Sequence, residues 1–302
     1  MNQEMPKPSP TQMLHVKRLL PLLAVPVIVV GASLLCMAVN PRSIELGGFS
    51  LFALCIGLAF VIQWVMFVPA YLAHSERFFD LAGSATFVLV GTLAMAGRDE
   101  LDPRSALVLT LVAIWAIRLG SFLARRIYSA GIDRRFNQIK QDLPLFLMTW
   151  TLQGMWVSFA FAAGLAAMTS VTTQPIGVYA MTGAVIWFAG FSLEVIADRQ
   201  KLQFRANPEN ENCFITTGLW ERSRHPNYFG EIVLWAGVAV IAFPVLEGWQ
   251  LIALVSPLFI WLLLTRISGV RMLEGRSERR WGDDPAYREY LESTPKLVPR
   301  LF

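Results

Sequence analysis

Five polar side chains able to bind or transfer charge crowd the stretch from Gly218 to Glu231: Arg222, Arg224, His225, Asn227 and Glu231. The stretch opens an apolar run, where a carboxylate such as Glu231 is costly unless paired or functional. Pro226 suits the first turn of a helix, whose N–H groups have no intrahelical acceptor. A helix from that point would put Arg224, Asn227, Tyr228, Glu231 and Trp235 three and four residues apart, on one face. A face of this composition suits a polar ligand at a membrane boundary; the plainer alternative is an interfacial helix start with a snorkelling arginine.

Further charged residues stand where apolar segments begin or end. Glu194 and Asp198 are four apart, and Arg205 lies seven beyond Asp198. Asp80 opens an apolar run after Phe78-Phe79, and Arg118 sits inside another, within Leu111 to Leu119. Guanidinium forks match phosphate oxygens, so a pocket walled by Arg125, Arg134, Arg205 and Arg224 would attract a polyanionic cofactor. Arginine number alone fits equally well with ordinary topology signals or lipid head-group contacts. The embedded carboxylates leave two alternatives, buried ion pairs that lock the helices or a polar ligand pocket, and the set as a whole favours the pocket.

Other chemistries find little support. Cys36, Cys55 and Cys213 show no paired spacing, and His15, His74 and His225 are scattered, so neither a disulfide framework nor a metal site is expected. No Gly-x-Ser-x-Gly elbow accompanies His225. Gly131 to Phe136 reads as a turn with two arginines and lacks a glycine-rich phosphate fingerprint. The tail from Glu274 to Pro299 is amphipathic and then stopped by prolines, as a surface helix would be.

The elements that must position these residues are membrane helices. Hydrophobic residues make up 55% of the 302 and charged residues only 16%, well below the quarter expected of a soluble domain. The fold class expected is therefore an all-α, polytopic integral membrane helical bundle with seven or eight transmembrane helices. Eight apolar segments are visible: Leu19 to Val39, Phe49 to Leu72, Leu81 to Ala96, Ala106 to Leu123, Leu143 to Met168, Val178 to Ile196, Tyr228 to Phe243 and Leu251 to Leu264. The last two read alternatively as one broken hairpin hinged at Pro244 to Gly248. Arginines and lysines gather in alternate loops, at 125–140, 199–224 and 266–280, which puts both termini on the cytoplasmic side. The net charge of +4 is spread over these loops and signals topology, not nucleic-acid binding. Residues 1–17 read as a disordered cytosolic lead, and 18–302 as a single transmembrane domain without repeats.

Ala197-Asp-Arg-Gln200, Gly218-Leu-Trp220, the run Arg224 to Glu231, Tyr287-Arg-Glu-Tyr290, Thr294-Pro295 and Pro299 occur in that order. Together with Phe79 to Ser84 and Leu119 to Phe136, this set resembles the bacterial branch of the steroid 5α-reductase family, the group labelled DUF1295, over about residues 63–302. The resemblance implies a membrane reductase, in a bacterial inner membrane, that takes NADPH from the cytosol. It would reduce a carbon–carbon double bond conjugated to a carbonyl in a lipid-like substrate. By the same resemblance Asn227 and Glu231, with Tyr228 between them, stand at the nicotinamide end. Asp198 and Arg205 lie on the nucleotide side, and Arg118 reaches a phosphate; Arg134 and Arg224, from the basic wall described above, are further expected cofactor-binding residues. Steroid-reducing members grip the substrate carbonyl with a Gln-Glu pair and a tyrosine. Here Phe79-Asp80 and Trp115 stand at those positions, so Asp80 is the expected acid, with Glu231 and Trp115 beside the reaction. Trp115 cannot donate a phenolic proton. An S-adenosylmethionine-dependent membrane methyltransferase shares the Arg-His-Pro-x-Tyr helix start and is the alternative, with Glu274 as its tail carboxylate; a non-enzymatic membrane protein whose polar residues are structural pairs is a third.

Overall fold

A computed structural model describes residues 10–130 and 136–300. The chain is an all-α, polytopic membrane protein, with helices α1 (Pro10–Val39), α2 (Leu51–Leu72), α3 (Phe79–Ala96), α4 (Pro103–Ala130), α5 (Leu143–Ala160), α6 (Ala162–Thr169), α7 (Val178–Ala206), α8 (Leu219–Arg222), α9 (Pro226–Ala242), α10 (Ser256–Leu262), α11 (Gly269–Trp281) and α12 (Pro285–Ser293). The strands β1 (Glu45–Leu46) and β2 (Phe49–Ser50) pair antiparallel, Glu45 with Ser50 and Leu46 with Phe49. Gly47 and Gly48 make that turn at φ 60° and 80°, where a side chain would be strained.

Among the described residues seven helices are long and apolar enough to cross a membrane, or eight spans if the bent pair α5 and α6 counts as one. The apolar run expected over Leu143 to Met168 is thus not one straight helix. It breaks at Phe161 with a bend of 58°. The broken-hairpin alternative for the last two segments does not hold: residues Pro226–Val245 and Gly248–Trp281 each form a separate candidate span. Helix α1 starts at Pro10, earlier than the expected Leu19, and Met1–Ser9 of the expected lead lie outside the described residues.

Two compact units divide the chain. The first comprises Met1–Leu101 and Val112–Phe159. Its core is aromatic: Phe87 packs edge-on against Trp115 and Trp156, at centroid distances of 5.0 and 4.9 Å. A buried polar ladder crosses α2, α3 and α5. Gln63 donates to Thr86 (2.7 Å), and the Gln153 amide donates to Gln63 Oε1 (3.1 Å) and the Phe79 carbonyl (2.7 Å). Amide groups so far from water require such partners.

The second unit comprises Asp102–Leu111 and Ala160–Phe302. Its centre is the pair α7 and α9, held at backbone contact by glycines seven residues apart on each helix. A Cβ on Gly190 would lie 2.4 Å from the Leu234 nitrogen and 2.6 Å from the Gly230 oxygen. On Gly183 it would lie 2.6 Å from the Gly237 oxygen. Small residues permit this approach, which in a membrane replaces the missing hydrophobic drive with close packing. Arg104 closes the far end of α9. It is 2% exposed, and its guanidinium donates to the carbonyls of Ile241 (2.6 Å) and Pro175 (3.0 Å). The C-terminal end of a helix dipole suits a cation.

Candidate functional site

Gly218 sets the entry to the site. Its φ of 65° is a glycine conformation, and a Cβ there would strike the Gln200 amide at 2.5 Å. Gln200 Oε1 accepts from the Leu219 amide (3.0 Å), which starts the short helix α8. Trp220 is then buried against α7: its indole N–H donates to the Ala197 carbonyl (3.0 Å), and Lys201 Nζ lies 4.2 Å from its ring centroid. After α8 the chain extends through Ser223 to His225 and re-enters a helix at Pro226, as the sequence predicts.

This path builds a cavity of about 300 Å³ in the second unit. Lys201, Arg205, Arg224, Arg276 and Arg280 contribute five cations to its wall, against one carboxylate, Glu274. Trp220, Trp281, Tyr287, Tyr290 and Phe214 supply rings. Phe214 packs on Tyr287 (5.1 Å), Tyr290 (5.7 Å) and Trp281 (5.8 Å), which joins the rings at this end into one cluster. Arg280 and Trp281 are tied to the facing loop, Arg280 donating to Asn212 Oδ1 (3.0 Å) and the Trp281 indole to the Asn212 carbonyl (2.7 Å). The Tyr290 hydroxyl donates to the Trp220 carbonyl (2.6 Å), and burial pushes its pKa well above the ordinary 10.0. It is a structural donor, not an acid for use near neutrality.

Glu274 gathers the basic groups at one side of the cavity. Its Oε1 lies 2.8 Å from Arg224 Nη1 and 3.5 Å from His225 Nε2, and its Oε2 lies 2.9 Å from Lys296 Nζ. His225 is 5% exposed and stacks on Tyr228, with ring planes 9° apart. Burial lowers the His225 pKa below 6.5, and the nearby Glu274 carboxylate offsets this only in part. The ring is therefore neutral at pH 7.

Of the face expected from Arg224 to Trp235, the four residues inside α9, namely Asn227, Tyr228, Glu231 and Trp235, share one side of the helix as expected, and Arg224 does not. Arg224 precedes the helix and enters the cavity, where helical spacing does not govern it. Asn227 Nδ2 turns to α7 and donates to Asp198 Oδ1 (3.1 Å). Tyr228 lies against His225, and Trp235 is fully buried beside Phe161, at 6.1 Å. Glu231 is half-buried on α9. Of the expected cofactor arginines, Arg205 and Arg224 line the cavity. Arg134 lies outside the described residues.

Asp80, Trp115, Arg118 and Arg125 belong to the first unit. There Asp80 Oδ2 lies 3.9 Å from Arg126 Nη2, and the Arg118 guanidinium sits 5.3 Å from the Phe122 ring. Trp115 is a fully buried core residue. Among the described residues no group of three or more His, Cys, Asp or Glu side chains could hold a metal ion.

Sequence reasoning did not assign Lys201, Arg276, Arg280, Trp281 or Lys296 to a site. One signal was present: Lys201 with Arg205, and Arg276 with Arg280, are each four apart and share a helical face. Nothing local says that the two faces meet across α7 and α11.

These features define a class, that of all-helical membrane proteins carrying a basic cavity walled by aromatic rings. More particularly, the family model described as "Protein of unknown function (DUF1295)" matches residues 66–294, and the chain belongs to this family. It is similar to an uncharacterized protein of Schizosaccharomyces pombe, 22% identical over 237 residues, which are 68% of this chain and 66% of that protein. The match thus spans just under two thirds of the relative's length. No solved structure matches the chain.

Proposed function

We propose that this chain is an NADPH-dependent membrane reductase acting on a carbon–carbon double bond conjugated to a carbonyl in a lipid-like substrate, as its resemblance to the steroid 5α-reductase family implies. The observation that best supports the reading is the charge balance of the second-unit cavity, five cations against one carboxylate. That donor set fits a dinucleotide carrying several phosphate charges. Arg205, Arg224, Arg276 and Arg280 can each offer a guanidinium edge to phosphate oxygens, while Trp220, Trp281 and the two tyrosines offer apolar walls that exclude water. Bound there, NADPH would supply a hydride to the β-carbon of the conjugated double bond. Asn227, whose amide nitrogen is engaged by Asp198, keeps its Oδ1 as an acceptor for a ligand N–H or O–H. Cytoplasmic access in a bacterial inner membrane is part of the proposal.

One observation favours a second reading, an S-adenosylmethionine-dependent methyltransferase: Arg224, His225 and Glu274 converge, and a carboxylate can meet a cationic ligand. The cavity's surplus of positive charge opposes it, since that cofactor carries a sulfonium cation.

Calorimetry on the purified full chain separates the two. The reductase reading expects NADPH binding that Arg205→Ala weakens by about tenfold or more, the loss of one charge-assisted hydrogen bond. Binding of S-adenosylmethionine without NADPH would replace it with the second reading, and binding of neither would sink both.

A further inference from the structure

The chain beyond α12 returns along the segment that enters the cavity. Thr294 Oγ1 donates to the Glu221 carbonyl (3.3 Å), the Arg224 amide to the Pro295 carbonyl (2.9 Å), Ser223 Oγ to the Leu297 carbonyl (2.7 Å) and the Arg300 amide to the Arg222 carbonyl (3.0 Å). This strap also carries Lys296, whose ammonium meets the outer oxygen of Glu274 at 2.9 Å. The backbone of Arg224 and the carboxylate that orients its guanidinium are thus anchored by the same few residues.

We propose that Lys296 is a positioning residue of the cavity, acting through Glu274 on Arg224 and His225. The proposal rests on reading the cavity as a nucleotide-cofactor site. A carboxylate facing a guanidinium tends to take it bidentately, occupying two of its five donors. Lys296 holds Oε2, leaving Oε1 alone for Arg224, at 2.8 Å on Nη1. The remaining Arg224 donors then stay free to serve an anion. The same restraint keeps Oε1 within 3.5 Å of His225 Nε2, on a ring that otherwise has no hydrogen-bond partner at either nitrogen and lines the cavity. Without Lys296, Glu274 is released to close on Arg224 and withdraw it from the ligand.

The test is a double-mutant cycle on the full chain in detergent, with NADPH binding read from tryptophan fluorescence, since Trp220 and Trp281 line the cavity. Lys296→Met should weaken binding about threefold to fivefold, the size of one half-exposed ion pair, with Lys296→Arg close to wild type and thermal midpoints unchanged. In the Glu274→Gln background Lys296→Met should have no further effect. Equal weakening in both backgrounds would mean that Lys296 attracts the anion directly, and would overturn the proposal.

Should the wild-type chain bind no NADPH, the cofactor reading fails, and the positioning role is decided by 15N-histidine NMR. The charged groups facing His225 are Glu274 on α11, Lys201 on α7 and the adjacent Arg224. Lys296→Met should lower the His225 titration midpoint when Glu274 is present, because Oε1 is no longer held beside the ring, and leave it unmoved in Glu274→Gln. A midpoint that does not respond to Lys296→Met in either background overturns the role.

Discussion

Asn227 Nδ2 donates to Asp198 Oδ1 at 3.1 Å, joining the first turn of α9 to the C-terminal half of α7. The contact is partly buried and has a direction, amide to carboxylate. Asn227→Asp would set two carboxylates face to face, so we expect it to weaken cofactor binding more than Asn227→Ala does. It should also cost about 1–3 kcal/mol of stability through an unpaired buried charge. Calorimetric Kd and thermal unfolding of the two variants check this; equal behaviour would show that the contact is incidental.

Gly190 and Gly230 let α7 and α9 meet at backbone distance, and their neighbours are main chain, which cannot rotate aside. Gly190→Ala should therefore force the helices apart and destabilise the protein by about 1–3 kcal/mol. Gly57→Ala is the control: nothing lies within 4 Å of its added methyl, and it should be neutral or slightly stabilising. Thermal midpoints in detergent distinguish the pair, and a Gly190→Ala variant as stable as Gly57→Ala would refute the close-packing account.

The His225 pKa is lowered in the folded state from its ordinary 6.5, so the unfolded chain binds this proton more tightly. Its contribution to stability is full above pH 6.5 and is lost as pH falls through the folded value. Unfolding free energies followed from pH 7.5 to 5 should decline with a component that His225→Gln removes. An unaltered pH slope in that variant would count against a buried neutral imidazole.

Arg104 holds carbonyls at the end of α9 with a side chain only 2% exposed. Arg104→Met keeps the volume and removes the donors, stranding acceptors away from water. We expect a loss of about 2–3 kcal/mol, with NADPH affinity changed less than by Arg205→Ala because Arg104 is not among the cavity residues. A stability equal to wild type would show that these acceptors find other donors.

Much of this was legible from the sequence because membrane helices are a one-dimensional signal. Apolar length and the low charged fraction required an all-α polytopic protein, and Pro226 marked the start of α9, since backbone polar groups in lipid have to be satisfied within the segment itself. The ordered motifs around Asp198, Arg224 and Tyr287 pointed to the family to which the chain belongs. Sequence also placed Arg205 and Arg224 among the candidates for binding an anion.

Only the tertiary structure decided which residues share a wall. Glycine spacing on α7 and α9 gave no direct reading of backbone contact, and the bend at Phe161 follows no proline. The cavity joins α7, residues 213–215, the Gly218–His225 entry, α11 and α12, and Lys296 of the returning tail reaches Glu274 across twenty-two positions of sequence. Helical periodicity fixes which side chains share a face of one element; it is silent on which faces meet. The dense polar stretch from Gly218 to Glu231 therefore announced a site in sequence, but Glu274 and the strap that fixes it became visible only when the helices packed.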